Sequence, residues 1–363
     1  MSSPYPSLLG ETLKGRYVVQ DFLEKGGMSS IFLAWDQIDH IHVVIKTLPR
    51  ELAEHPNLVK RMEREGKAIE SLNHPNIIRI FDQFRIDDGR PAIVLEFMQG
   101  GSVRTLLNEY REKNRAMPID YALSLIIPVV EAMSVVHGIQ IIHRDLKPTN
   151  ILLRHDRRIP VVADLGVAKN LLKSRITKTN AVLGTPYYMS YEQAAGREVD
   201  VRTDIYSIGV ILYEMVTTRR PYHVNNVADL LTAMQNQTPY QVTKLRKSAS
   251  PILGNVIHKC LSIEPDNRYQ TMEQLLQELE KAQEHQSSYS PKTDLTQNIS
   301  DRSINHPEIG SGTAEAPPHS QKETAGNHSI NQTNKSNLIL GIIVVAIVIA
   351  FAALILFLLG VFG

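Results

Sequence analysis

The stretch HRDLKPTN, His143 to Asn150, carries the most specific chemical pattern in this chain of 363 residues. An acid, Asp145, stands five residues before an amide, Asn150, so one short loop presents a carboxylate and an oxygen ligand. A second acid, Asp164, ends the apolar run VVAD fourteen residues after Asn150. Mg²⁺ takes a few protein oxygens and completes its coordination with phosphate and water. The pattern therefore predicts a magnesium and phosphate site.

Hydrophobic periodicity divides the residues around this stretch into two parts. Residues from about 14 to 96 contain short β-branched and aromatic runs (YVVQDF, SIFLAWD, HVVIKTL and PAIVLEFM), interrupted by one helical stretch at 58–72. Residues from about 97 to 282 have mainly helical periodicity, with strand-like patches at NILL and VVADL. We expect an α+β fold in which a small, mostly-β lobe and a larger, mostly-α lobe enclose a cleft.

Two features of the small lobe point to phosphate binding. Lys46 ends the alternating run HVVIK. Alone it would be an exposed surface lysine, but together with the two acids its ammonium group suits a phosphate. The turn LEKGGMSS, Leu23 to Ser30, is glycine-rich and lies between two apolar runs, as in turns that cover nucleotide phosphates.

The C-terminal residues form two further predicted segments. Residues 286–336 are mostly polar, with one aromatic residue, and are expected to form a flexible cytosolic linker. Residues 337–363 are expected to form a transmembrane helix, because Leu338 to Gly363 are 26 residues without a charged side chain. The N-terminal residues show no secretory signal pattern.

Composition narrows the class of protein. The 39 basic and 38 acidic residues nearly cancel, so the overall charge suggests no nucleic-acid partner. Cys260 is the single cysteine, which excludes an internal disulfide and fits a reducing compartment. We expect it to be a small core residue.

These residues together resemble the protein-kinase fold over about residues 17–280, with residues 1–285 as the kinase domain. The resemblance is closest to eukaryotic-type (Hanks-type) bacterial serine/threonine kinases with a membrane anchor. It implies ATP and Mg²⁺ as cofactors and a two-lobed fold followed by one transmembrane helix. It also implies that Asp145 orients the substrate hydroxyl and accepts its proton, and that Lys147 neutralises the γ-phosphate. Lys46 would contact the α- and β-phosphates and pair with Glu65.

The resemblance also assigns ligands for the metal and the nucleotide. Asn150 and Asp164 are expected to hold magnesium. The expected nucleotide contacts are the phosphate-loop glycines, the gatekeeper and the hinge: Gly26, Gly27, Leu95, Glu96 and Met98. As supports, Glu192 and Arg268 are expected to form an ion pair, Asp204 to brace the catalytic loop, and His143 to pack without a proton-transfer role.

The chain departs from the family pattern at four positions. Glu24 and Ser29 replace glycines of the phosphate loop, Leu165 replaces the phenylalanine of DFG, and Tyr191 replaces the proline of APE. None of these changes removes a group that carries charge to phosphate or metal. Phosphoryl transfer depends mainly on positioning and charge neutralisation, so we expect an altered but working loop, with Glu24 raising the KM for ATP.

Regulation is predicted from the stretch SRITKTNAVLGT, which carries Thr177, Thr179 and Thr185. A phosphate on Thr177 or Thr179 would pair with Arg144 and Lys169, which would order the activation segment. Thr185 resembles the threonine that bridges the catalytic acid and lysine in serine/threonine kinases. The alternative for KSRITKTN is a solvated basic loop.

The resulting hypothesis is a membrane-anchored serine/threonine kinase that acts on protein Ser/Thr hydroxyls and phosphorylates its own activation segment. The kinase domain would face the cytoplasm of a bacterial cell, and the span could bring two copies together as a homodimer for phosphorylation in trans. One alternative is a pseudokinase that recruits partners to the membrane. Another is a small-molecule kinase, which GTPYYMSYEQ disfavours because it resembles a platform for peptide chains.

Overall fold

A computed structural model describes residues 8–25, 29–70, 72–165, 186–224 and 226–289. Within these ranges it describes all side chains except those of Lys25, Arg61, Glu65 and Ala68. The predicted transmembrane helix at 337–363 lies outside the described residues.

The small lobe is built on a six-stranded antiparallel sheet. Its strands are β1 Thr12–Leu13, β2 Tyr17–Lys25, β3 Ser30–Asp36, β4 Ile41–Thr47, β5 Ile80–Arg85 and β6 Pro91–Glu96. Their spatial order is β1-β2-β3-β4-β6-β5, so β6 lies between β4 and the edge strand β5. The predicted strand runs are confirmed.

Alternation within β4 decides which side of the sheet Lys46 faces. Val43 and Ile45 are fully buried in a cluster on one face of the sheet, together with Phe32 and Ala34 of β3. Successive side chains of a strand point to opposite faces, so Lys46 points away from that cluster.

Two helices complete the small lobe: α1 Arg50–Ala53 and α2 Pro56–Glu70. The second corresponds to the helix expected at 58–72. Val59 and Met62 of α2 are buried against Leu48 and Ile93, which ties this helix to the sheet.

The large lobe is mainly helical. Its helices are α3 Val103–Glu112, α4 Ile119–Gly138, α5 Tyr191–Ala194, α6 Arg202–Thr217, α7 Val227–Asn236, α8 Val242–Leu245, α9 Pro251–Cys260 and α10 Met272–Tyr289. Short 3-10 turns occupy Pro186–Tyr188 and Pro265–Asn267, and the predicted strand patches form an antiparallel pair, β7 Ile151–Leu153 and β8 Pro160–Val162.

Two buried helices form the centre of this lobe. Every residue from Thr203 to Thr217 of α6 is buried. Helix α4 has eleven buried residues and is the one helix in the described part of the chain whose length and composition would suit a membrane span. Its burial against α6 and α10 explains its apolar composition without a membrane.

The end of the domain differs from the sequence prediction. Helix α10 continues through Tyr289, so the first four residues of the predicted linker at 286–336 belong to a helix. Gln286 is fully buried, where its side chain accepts from the Ser250 N–H at 2.9 Å and donates to the Ser248 carbonyl at 2.8 Å. The polar composition did not reveal the end of this helix, because the hydrogen bonds that hold Gln286 come from residues 248 and 250, which are distant in sequence.

Candidate functional site

The loop that carries Asp145 is held from below by Asp204 of α6. The buried carboxylate of Asp204 accepts the backbone N–H of His143 at 2.8 Å and that of Arg144 at 2.9 Å. His137 of α4 contacts the same carboxylate at 2.8 Å. Arg144 has a φ of 63°, which a non-glycine residue rarely adopts, and the two bonds to Asp204 stabilise that conformation. The predicted bracing role of Asp204 is confirmed.

His143 is a structural side chain in this loop. It is fully buried, and its Nδ1 accepts the Asp145 N–H at 3.3 Å. Its Nε2 lies 3.0 Å from the Ala163 carbonyl, which can only accept, so Nε2 carries the proton. The imidazole thus links the loop to the residue before Asp164, which confirms the prediction that His143 packs as a support.

The structure brings Asp145, Lys147 and Asn150 together. Lys147 Nζ lies 2.9 Å from Asp145 Oδ2, and Asn150 Nδ2 donates to the same oxygen at 3.1 Å. Asn150 Nδ2 also donates to the Asp145 carbonyl at 2.8 Å, which fixes the amide. The Asp145 side chain remains 21% exposed, so a solvent-borne hydroxyl can reach it.

Lys46 and Asp164 join the two lobes at the cleft. Lys46 Nζ lies 2.8 Å from Asp164 Oδ1, although the residues are 118 apart in sequence. The Asp164 side chain is 46% exposed and its φ is 56°, a strained value for a residue with a Cβ. Leu165, the departure from the family pattern, is fully buried in the core of the large lobe.

Leu95 borders the same region. It lines a small cavity with Lys46, Asp164 and four isoleucines: Ile69, Ile78, Ile80 and Ile93. This position beside the lysine agrees with its predicted place as gatekeeper.

Two apolar residues of the cleft were missed by the sequence analysis. Ile31 of β3 is paired with Lys46, and Val44 lies two residues before it, so both share its face of the sheet. Both are only partly buried, so they offer an apolar surface next to the ammonium group. Their alternation with buried residues in SIFLAWD and HVVIK was the available signal.

The predicted hinge residues have different environments. The carboxylate of Glu96 forms an ion pair with Arg154 of the large lobe, a contact that sequence reasoning missed. Met98 is buried in the core of the large lobe. Their side chains are therefore occupied within the protein, which leaves the backbone as the part that could bind a ligand.

The predicted ion pair of the large lobe is confirmed. Arg268 donates to Glu192 Oε1 at 2.8 Å and to Oε2 at 2.9 Å, and both side chains are buried. Burial raises the pKa of the Glu192 carboxyl, but the hydrogen bond and charge of Arg268 outweigh it, so the pKa is lowered overall. The neighbouring Gln193 donates to the Arg144 carbonyl at 2.8 Å, which ties this pair to the catalytic loop.

Several predicted residues lie outside the described part of the chain. They are the phosphate-loop glycines, Gly26 and Gly27, the side chain of Glu65, and the regulatory positions Lys169, Thr177, Thr179 and Thr185. For Arg144, the described contacts are those of its backbone.

Comparisons with known proteins agree with this geometry. A family model of the protein kinase domain matches residues 17–279. The serine/threonine-protein kinase PrkC of Bacillus subtilis is 35% identical over 276 residues, which cover 76% of this chain and 42% of PrkC. The serine/threonine-protein kinase PknB of Mycobacterium leprae is 33% identical over 284 residues, covering 77% of this chain and 45% of PknB. The chain thus spans less than half the length of these curated relatives.

A solved structure supports the fold alone. The kinase domain of PknI from Mycobacterium tuberculosis superposes with a TM-score of 0.59 at 20% identity, covering 77% of this chain and 100% of that domain. The match of the family model over most of the chain, together with the loop and lysine geometry, identifies the chain as a member of the protein kinase family.

Proposed function

We propose that the chain is a serine/threonine-protein kinase that transfers the γ-phosphate of ATP to Ser or Thr hydroxyls of proteins. The observation that carries this proposal is the contact of Lys46 with Asp164 across the cleft, next to a loop that joins Asp145, Lys147 and Asn150. Relatives named serine/threonine-protein kinases support the choice of acceptor.

The roles follow from charge and position. The hydroxyl oxygen forms a bond to the γ-phosphorus while the bond from that phosphorus to the bridging oxygen of ADP breaks, and Asp145 takes the hydroxyl proton. Lys147, beside Asp145, places a positive charge where charge develops on the transferred phosphate. Lys46 would hold the α- and β-phosphates of ATP. Ile31 and Val44 would cover the apolar face of its adenine ring.

The residues present fit a magnesium ion. Asn150 and Asp164 offer an amide and a carboxylate oxygen, the ligands that Mg²⁺ prefers. In the described residues no three His, Cys, Asp or Glu side chains gather to hold a metal. Magnesium bound here would therefore complete its coordination with phosphate and water, and would neutralise phosphate charge.

The membrane anchor and the domain limits belong to the same proposal. The kinase domain would reach Tyr289, where α10 ends, followed by a linker to 336 and a transmembrane helix at 337–363. The uncharged run of 26 residues supports the span. The full chain should stay with membranes after an alkaline wash, and its recovery in the wash would exclude the anchor. The same proposal includes exposure of the kinase domain to the cytoplasm, a homodimer, and autophosphorylation at Thr177 or Thr179.

The test of the activity uses the full chain in detergent with Mg²⁺ and ATP and a mixture of Ser and Thr peptides. We expect phosphoserine and phosphothreonine from the wild type and a rate about 10²–10⁴-fold lower for Asp145→Asn, which keeps the size but loses the base. A chelator of divalent cations should abolish transfer. Equal rates from wild type and Asp145→Asn would refute the proposal, and Asp120→Asn, the same change at an exposed carboxylate of α4, is the matched control.

A further inference from the structure

A groove of about 410 Å³ lies on the surface of the large lobe, between helices α9 and α10. One face of α9 lines it with residues at helical spacing: Ile252, Asn255, Val256 and Lys259. Along α9 this face measures about 10 Å at 1.5 Å per residue. The ring of Tyr269, only 5% exposed, completes an apolar floor with the two aliphatic side chains of α9. The groove therefore has the size of a short peptide segment.

The rim of the groove is positively charged. Lys259 Nζ lies 4.3 Å from the centroid of the Tyr269 ring, and within the described residues this ammonium group has no carboxylate partner. On the side of α10 the rim carries Lys281 and His285. Lys281 pairs with Glu278 at 2.7 Å, so two ammonium groups face one carboxylate. The rim keeps one positive charge in excess and can bind an acidic group.

The residues that follow α10 carry the complementary chemistry. Residues 290–301 read SPKTDLTQNISD. Within them, residues 294–301, which we call the return segment, contain two carboxylates, Asp294 and Asp301, and no basic residue. Leu295 and Ile299 are its aliphatic side chains, four positions apart. Two aliphatic side chains flanked by acids match an apolar floor with a positive rim.

The end of α10 directs the chain towards the groove. Gln286 is buried and bonded to the loop before α9, which fixes the end of the helix. Tyr289, one turn beyond His285 on the same face of α10, is 50% exposed. Pro291 has no N–H to continue a helix, and it disfavours a helical conformation at Ser290. The sequence therefore favours a turn at this point, from which the chain can run back beside α10.

The length of the chain allows this return. Lys281 lies eight residues before the end of α10, which is about 12 Å along the helix. Leu295 lies six residues after Tyr289, and six extended residues span up to about 20 Å. A short connection gives the segment an effective concentration on the order of millimolar at the groove. A weak contact is then enough to hold it, and a second copy of the chain would need a similar concentration to compete.

We propose that the return segment binds in the groove between α9 and α10 of its own chain. Its two aliphatic side chains pack on the apolar floor, and its two carboxylates lie beside the ammonium groups of Lys259 and Lys281. The segment thereby becomes part of the kinase domain, and the free linker begins at residue 302. The contact needs no phosphate transfer, so its test is independent of the proposed kinase function.

The first measurement uses the full chain in detergent and a short bismaleimide that joins two cysteines. Cys260, the single native cysteine, is 2% exposed and should not react. Asn255→Cys in the groove, combined with Gln297→Cys in the return segment, should cross-link within one chain at least about tenfold faster than Glu280→Cys combined with Gln297→Cys. Glu280 is the matched control, since it is exposed on α10 and does not line the groove.

The second measurement tests the apolar contact with the same pair of cysteines in the groove and the segment. Leu295→Asp should slow the cross-link about tenfold, because an aliphatic side chain no longer leaves water for the apolar floor. Ile304→Asp makes the same kind of change just beyond the return segment and should leave the rate as it is. A rate that falls equally in both variants would count against the contact.

The third measurement tests the charges. Lys259→Glu should slow the cross-link about threefold, in the range expected for an exposed ion pair. Asp294→Lys together with Asp301→Lys should restore the rate in the Lys259→Glu background, because the charges then match again. Lys244→Glu, the same change at an exposed lysine of α8, is the matched control.

The outcomes decide between the possible occupants of the groove. Equal cross-linking from Asn255→Cys and Glu280→Cys would refute the proposal. Products of twice the mass, which join two chains, would assign the groove to a second copy and overturn it. An unchanged rate in both Leu295→Asp and Lys259→Glu would also overturn it. Loss of phosphate transfer in any variant concerns the kinase proposal alone, since cross-linking is measured without ATP.

Discussion

Removing one partner of the buried ion pair between Arg268 and Glu192 is predicted to destabilise the large lobe strongly. Arginine has five N–H donors, and here all five are used. Two go to Glu192, at 2.8 and 2.9 Å, and three to backbone carbonyls: Ser262 at 2.7 Å, Ile263 at 2.7 Å and Arg202 at 3.1 Å. Arg268→Met would therefore leave one buried carboxylate and three carbonyls without their partner.

The expected loss of unfolding free energy is that of a buried ion pair with one partner removed. Removing one partner of a buried ion pair destabilises a protein by about 3–5 kcal/mol. The cost stays in this range because Glu192 can take up a proton once its cation is gone, and because it keeps the Thr203 hydroxyl, which donates to it at 2.7 Å. At roughly 2–4 °C per kcal/mol for a domain near this size, the melting temperature should fall by about 10 °C.

The assay is urea and thermal unfolding of the wild type and Arg268→Met, followed by circular dichroism. Arg85→Met is the matched control, since Arg85 forms an exposed ion pair with Glu63 at 2.7 Å, and such pairs contribute about 0–1 kcal/mol. The lowered pKa of Glu192 means that the pair stabilises the fold above the unfolded value of 4.5 and that this is lost as pH falls. The difference between wild type and Arg268→Met should therefore shrink below about pH 4.5. Equal loss from both variants at pH 7 would refute the reasoning.

Three further predictions concern single residues. Lys46→Met should keep the fold and lower kcat/KM for ATP about a hundredfold or more, measured as initial rates, and an unchanged value would contradict the phosphate role. Gly209→Ala would place a Cβ 2.5 Å from Cys260 Cβ and should cost about 1–3 kcal/mol in urea unfolding, whereas at Gly138 nothing lies within 4 Å and Ala should be tolerated. Burial lowers the pKa of His258, so its stabilising effect is present above pH 6.5 and lost as pH falls through the lowered value. His258→Gln should unfold with a weaker dependence on pH in that window, and an identical dependence would exclude this group as a cause.

Much of the candidate site was predictable from local pattern. The spacing in HRDLKPTN placed Asp145, Lys147 and Asn150 on one loop, and a loop of this length keeps its members close whatever the rest of the chain does. The alternation in HVVIK determines which face of its strand Lys46 occupies, because successive side chains of a strand point to opposite faces. The linker boundary was wrong, since polar composition could not reveal that Gln286 is buried.

The sequence by itself therefore determined the chemical groups of the site and the periodicity of the elements that carry them. Only the tertiary structure decided which distant groups meet. It inserted β6 between β4 and β5, joined Lys46 to Asp164, and gave Glu214 three arginine neighbours when the chain has many other charged residues. These pairings depend on how the two lobes bury their apolar faces. Local sequence does not specify that packing, because an acidic residue can pair with any basic residue until the fold buries two of them side by side.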